Sequence, residues 1–170
     1  MNILESVAEL MAVSARTAPK AGGKDFVEIK VIGEEKIDKL ADKMINYGRE
    51  SNKKNFDRDG ENVRNSEQIV LLSLNEAGVL SLDCGACGFD TCDELELKTG
   101  KEFDGPICAW RLMDLGIAMG SAVKTASILN VDNRIMYRIG VAAKKMNLID
   151  GEVVVGIPIS ASGKNIYFDR

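Results

Sequence analysis

Hydrophobic and polar positions switch between a helical and a strand period along this chain, and the switches mark its elements. Residues 2–13 place Ile3, Leu4, Val7, Ala8, Leu10 and Met11 at helical spacing. An irregular stretch, SARTAPKAGGKD, leads into a strand, FVEIKVIG. From Glu34 to Asn46, the residues Ile37, Leu40, Ala41, Met44 and Ile45 share one helix face, and Gly48 offers a natural stop. SNKKNFDRDGENVRNSEQ is polar and reads as a surface loop or a short helix. IVLLSL is a continuous apolar run of strand length, suited to a central buried strand. Farther on, residues 110–129 and 133–146 read as helices, the second with Asp132 as its N-cap. EVVVGIPIS reads as a strand and KNIYFDR as an extended closing arm. With no internal repeat, the order predicts an α+β fold, helices packed on a small mixed sheet. One domain, 1–170, is expected, with residues 82–109 inserted as a cysteine-rich module.

The long helix carries a narrow stripe, Gly116, Gly120 and Lys124, beside Ala118, Ser121, Ala122 and Ala126. Small residues let helix backbones approach closely, so the stripe suits either packing within the chain or a subunit contact. Each glycine costs about 1 kcal/mol against alanine inside a helix, which some packing gain should offset.

Composition narrows the function classes. At 170 residues the chain suffices for one domain. A net charge of -4 with no strong basic patch argues against a nucleic-acid partner. The most apolar window, Leu112 to Val131, contains Asp114 and Lys124, so no membrane span is expected. The opening MNILESVAEL holds Glu5 and Glu9 and no basic residue, unlike a secretory leader. A reducing cytoplasm is the expected setting.

The chemistry concentrates at Cys84, Cys87, Cys92 and Cys108, the chain's four cysteines, in LDCGACGFDTCDELELKTGKEFDGPICAW. A tight three-cysteine turn and a fourth thiolate returning from a distance is how a short loop wraps a cubane, with Gly85 and Gly88 letting the backbone curl. The chain has no histidine, which removes mixed Cys/His zinc patterns. A [4Fe–4S] cluster is the first reading. A four-cysteine zinc site remains open, although it usually shows two Cys-x2-Cys knuckles and here there is one. Disulfides would require a secreted protein, and thiol–disulfide exchange at Cys84 and Cys87 lacks a thioredoxin-like setting. Without histidine, Ser–His and Cys–His nucleophiles cannot be built, and no catalytic residue is assigned. Trp110, beside Cys108, reads as a hydrophobic shield for the cluster or as plain core. Asp83, Asp90, Asp93 and Glu94 crowd the cysteines and would lower a cluster's potential, or offer a solvated surface to a basic partner.

A second candidate is the loop Arg16-Thr17-Ala18-Pro19-Lys20-Ala21-Gly22-Gly23-Lys24. Three cations, a hydroxyl and two glycines could cradle a phosphate, although a basic solvated loop would look the same. It is not a Walker A loop, since Ala18 stands where the leading glycine belongs and no Ser/Thr follows Lys24.

Three resemblances extend these readings. SARTAPKAGG, DLGIAMGSAVKTASILNV and NLIDGEVVVGIPIS resemble the opening loop, central helix and late core strand of flavin nitroreductases. The whole chain, through ARTAPK, CGACG-x3-C and VDNR, also resembles a prokaryotic family described as containing a ferredoxin domain. Residues 84–108 are similar to the four-cysteine modules of Rnf-type electron-transport subunits and corrinoid iron–sulfur proteins. The nitroreductase likeness implies FMN bound between the subunits of a homodimer. Arg16 and Thr17 would lie near the ribityl phosphate, with Lys20 where the family usually has serine. Gly156 and Pro158 would lie near the flavin edge, and Lys164 or Arg170 at the phosphate. Gly23 and Asp25 replace the family's usual Asn and Gln, so pyrimidine-edge contacts are not implied. Two functions follow. One is an electron-transfer protein or flavin-dependent oxidoreductase that passes single electrons between cluster and FMN and serves a redox partner protein. The other is a non-catalytic structural or sensory metal module, zinc or cluster, on a degenerate flavin fold.

Overall fold

The computed structural model describes residues 2–168. Its centre is a four-stranded sheet of β1 (Val27–Ile32), β2 (Gln68–Leu74), β3 (Asp132–Asn133) and β4 (Val153–Ser160), in the order β1-β2-β4-β3. Every strand pairing among the described residues is antiparallel, so the mixed sheet expected from the sequence is corrected. β2 is central and buried along its whole length. Its side chains alternate between two cores, as the period of a strand requires. Ile69 and Leu71 join the core beneath α2 (Glu34–Ser51), α3 (Phe56–Arg64) and α5 (Tyr137–Lys145). Val70, Leu72 and Leu74 join the core beneath α1 (Ile3–Thr17) and α4 (Ala109–Ile128). The molecule is therefore an α/β/α sandwich, and the continuous apolar run of β2 reflects cover on both faces.

Two element boundaries depart from the sequence reading, and one open alternative is resolved. Gly48 does not end α2; a Cβ there would collide with that of Phe56, so its glycine serves helix–helix contact. The helix runs on until Asn52 turns left-handed at φ 53°. The polar stretch after it contains α3, whose buried Phe56, Gly60 and Val63 recur at helical spacing among charged residues. Asp132 is not an N-cap. Its segment is tied to the edge of β4, with Asp132 opposite Ser160 and Met136 exchanging backbone hydrogen bonds with Gly156. Helix α5 can begin only after that, at Tyr137.

α1 and α4 pack side by side through small residues, Ala8 and Ala15 on one and Ala118, Ala122 and Ala126 on the other. Ser14 and Thr125 share a 2.6 Å hydroxyl contact between them. The stretch from residue 75 to Cys108 joins β2 to α4 with only a short 3-10 turn, Cys92–Glu94, and one isolated bridge, Lys98 to Gly105.

Candidate cluster site

All four cysteines line one small pocket with a cavity volume of about 10 Å³. No charged side chain lines it; Leu80, Leu82, Phe89, Leu95 and Trp110 form much of its wall. Gly85 and Gly88 adopt left-handed conformations, φ 69° and 91°, which curl the loop back on itself, and Gly88 N–H closes onto the Gly85 carbonyl at 3.0 Å. Asp83 accepts the Cys92 N–H at 2.7 Å, drawing the third cysteine toward the first. Among the described residues no three Cys, Asp or Glu side chains converge as on a single metal ion; the four cysteines instead lie around one small pocket.

The four cysteines differ in cover. Cys84 is exposed, Cys87 and Cys92 are half-buried and Cys108 is buried. Cys108 is the N-cap of the 20-residue α4, so the fourth cysteine is held at the start of a rigid helix. The Ala86 backbone N–H and the Trp110 indole N–H lower the Cys84 thiol pKa below its ordinary value. Trp110 Nε1 donates to Cys84 Sγ at 3.3 Å. Donors of this kind, apolar walls and four cysteines around one pocket suit an iron–sulfur cluster.

The arm that returns to Cys108 is bolted to the body. Asp104 accepts from Lys144 Nζ at 2.6 Å, and Glu102 accepts from Tyr47 at 2.7 Å and pairs with Lys53 at 2.7 Å. On the other side of α4's first turn lies a buried pair that the sequence reading passed over. Arg111 binds Asp114 at 3.1 Å, the Gly78 carbonyl at 3.0 Å and the Ala21 carbonyl at 2.8 Å, with its guanidinium 4.7 Å from the centre of the Phe26 ring. Asp114 accepts the Ala21 N–H at 2.8 Å. Two opposite charges spaced i, i+3 in the mostly apolar first half of the helix were the available signal. They join the cysteine loop, the N-terminal loop and α4.

Most of the residues expected at a flavin have partners or packing of their own within the chain. Arg16 is held by Asp25 and the Val27 carbonyl, each at 2.7 Å. The Thr17 hydroxyl turns back to the Val13 carbonyl at 3.0 Å. The Lys20 side chain is buried and caps the end of α1 through the Ala15 and Arg16 carbonyls. Ala21, Gly23 and Lys24 spend their N–H groups on protein acceptors, so the loop presents no ready phosphate cradle. Gly156 and Pro158 are buried inside β4, and a Cβ on Gly156 would strike Ile139. Lys164 is exposed in the turn after β4, and Arg170 lies outside the described residues.

Comparison with known proteins bears on both halves. The profile of a family described as "Uncharacterized protein containing a ferredoxin domain (DUF2148)" matches residues 104–170. An uncharacterized protein from Archaeoglobus fulgidus is 49% identical over 163 residues, 95% of this chain and 88% of its own. The chain belongs to this ferredoxin-domain family. The profile match includes Cys108 and leaves the three earlier cysteines outside. Among solved structures, the fold of this family member is similar to nitroreductase CinD from Lactococcus lactis in complex with chloramphenicol. That likeness has a TM-score of 0.63 at 15% identity, covering 99% of this chain and 86% of the other. It is also similar to the FMN-dependent nitroreductase NfnB from Mycobacterium smegmatis, with a TM-score of 0.62 at 10% identity, covering 94% and 78%. At such identities the likeness establishes the fold, which is that of the nitroreductases. No helix among the described residues is long and apolar enough to cross a membrane.

Proposed function

We propose that this protein carries electrons through a [4Fe–4S] cluster held by Cys84, Cys87, Cys92 and Cys108. The observation that carries the reading is that all four cysteines line one apolar pocket free of charged side chains. Membership in a ferredoxin-domain family supports it. When bound, the cluster supplies one-electron transfer; the chain's own residues do the rest. Gly85 and Gly88 shape the loop, and the Ala86 and Trp110 N–H groups donate to the Cys84 sulfur. The walls limit water and thereby keep the local dielectric low. All of the chain's net charge of -4 falls within residues 81–100, where Asp83, Asp90, Asp93, Glu94 and Glu96 face only Lys98. That field favours a low potential and a basic redox partner.

The assembly proposed is a homodimer through the outer faces of α1 and α4. Met113, Gly116, Ile117 and Gly120 are exposed along α4, as are Leu10 and Val13 on α1. Nothing lies within 4 Å of where Gly116 or Gly120 would carry a Cβ. FMN between two copies is the second reading, favoured by this open face and by the nitroreductase fold. Arg16 would have to release Asp25 to meet a phosphate, so we place the cluster rather than the flavin at the centre of the function.

The test is protein purified without oxygen, with iron, acid-labile sulfide, zinc and flavin measured on one sample. About four irons and four sulfides per chain, lost when any one cysteine becomes serine, is the expected result for such a cluster. Full iron and sulfide retained in Cys84→Ser, Cys87→Ser, Cys92→Ser and Cys108→Ser would overturn the ligand assignment. One zinc and no colour would replace the reading with a structural metal module on a fold that has lost its flavin.

A further inference from the structure

We propose that Trp110 tunes and shields the cluster at its Cys84 corner, its indole N–H donating to the ligand sulfur and its ring closing the open side of the pocket. The inference rests on the cluster reading above. Cys84 is the exposed member of the four thiols, so this corner is where water and oxidants reach the site. Trp110 Nε1 lies 3.3 Å from its Sγ, and the ring lines the same pocket. The indole is 37% exposed. Its N–H could have bonded to water; burial does not force it onto sulfur. Position matters as well. Trp110 is the second residue of α4 and follows Cys108 by two. The rigid first turn of the helix therefore ties a donor for one ligand to the backbone of another, 24 residues away in sequence.

An N–H donor to a ligand sulfur stabilises the more negative redox state, which is the reduced one, and so raises the potential. Trp110 thereby opposes the surrounding carboxylates. The chain contains a single tryptophan, so its emission reports on the surroundings of Trp110 alone.

The experiment compares anaerobically loaded wild type, Trp110→Phe and Trp110→Ala by midpoint potential, bleaching rate in air and tryptophan emission. Phenylalanine keeps the cover and removes the donor. Its cluster should be harder to reduce by up to about tenfold in equilibrium constant, a downward shift of up to about 59 mV for one electron, with bleaching near the wild-type rate. Trp110→Ala should shift likewise and bleach several-fold faster. Wild-type emission should be quenched on loading and recover when the metal is removed. A fully loaded Trp110→Phe protein with an unchanged potential would overturn the tuning role, and Trp110→Ala bleaching at the wild-type rate would overturn the shielding. Unquenched emission in loaded wild type would remove Trp110 from the site. Wild type that takes up no iron or sulfide would overturn the cluster reading itself, and this inference with it.

Discussion

Asp104 and Glu102 show how much of the cluster site hangs on single side chains outside it. Lys144 holds the Asp104 carboxyl below its ordinary pKa, helped by the Gly100 N–H. Burial alone would raise Glu102, but Lys53 and Tyr47 outweigh it and the result is lowered. A carboxylate whose folded pKa lies below its unfolded one contributes its full stabilisation above the ordinary range, near pH 4, and loses it as pH falls through the lower folded value. Acidification from about pH 5 to pH 3 should therefore release the arm that delivers Cys108. Hydrogen exchange should rise at residues 98–106 before it rises in β2. Lys144→Met should show the same release near neutral pH, and unchanged protection there would rule out the anchoring role. The acids were visible in the sequence, but their partners were not: Lys144 lies 40 residues from Asp104, and Tyr47 55 residues from Glu102.

At the scale of elements, α4 divides its small residues between two tasks. Ala118, Ala122 and Ala126 are buried against α1, whereas Gly116 and Gly120 face outward into open space. The helical spacing of the stripe was legible from sequence; which neighbour each residue meets was not. The glycines gain nothing inside one chain and each costs about 1 kcal/mol of helix stability. Gly116→Ala and Gly120→Ala should each raise the stability of the isolated chain by about that amount in a chemical melt. In a dimer packed at this stripe, Gly120→Leu should weaken self-association at least tenfold by sedimentation. Equal association in wild type and Gly120→Leu would exclude α4 from the interface. Gly48 teaches the same lesson in reverse, since a residue that locally signals a helix end instead makes room for Phe56.

Over the whole molecule, the segment after β4 folds back to seal the core beneath α2 and α5. Tyr167 is 1% exposed, and its hydroxyl lies 2.9 Å from that of Ser66, two residues before β2. Burial pushes its pKa up from the usual 10.0 to about 12. The unfolded chain ionises this phenol first, so the contribution is complete below about pH 10 and declines as pH rises toward 12. Tyr167→Phe should flatten the loss of stability between those limits in alkaline denaturation. An identical alkaline slope in the two proteins would show that Tyr167 does not set it.

The sequence by itself determined the four-thiol spacing, the absence of histidine, the strand character of IVLLSL and the amphipathic helices. These are properties of residues a few positions apart, and local period and ligand spacing suffice to express them. Only the tertiary structure decided that Asp25 occupies Arg16 and that Lys20 caps a helix instead of awaiting a phosphate. It alone revealed that Arg111 clasps two loops and that the Trp110 indole meets Cys84. Each of these is a choice of partner among many chemically equivalent groups. Long-range packing brings one of them within reach and buries or removes the rest, and no local pattern in the chain encodes that selection.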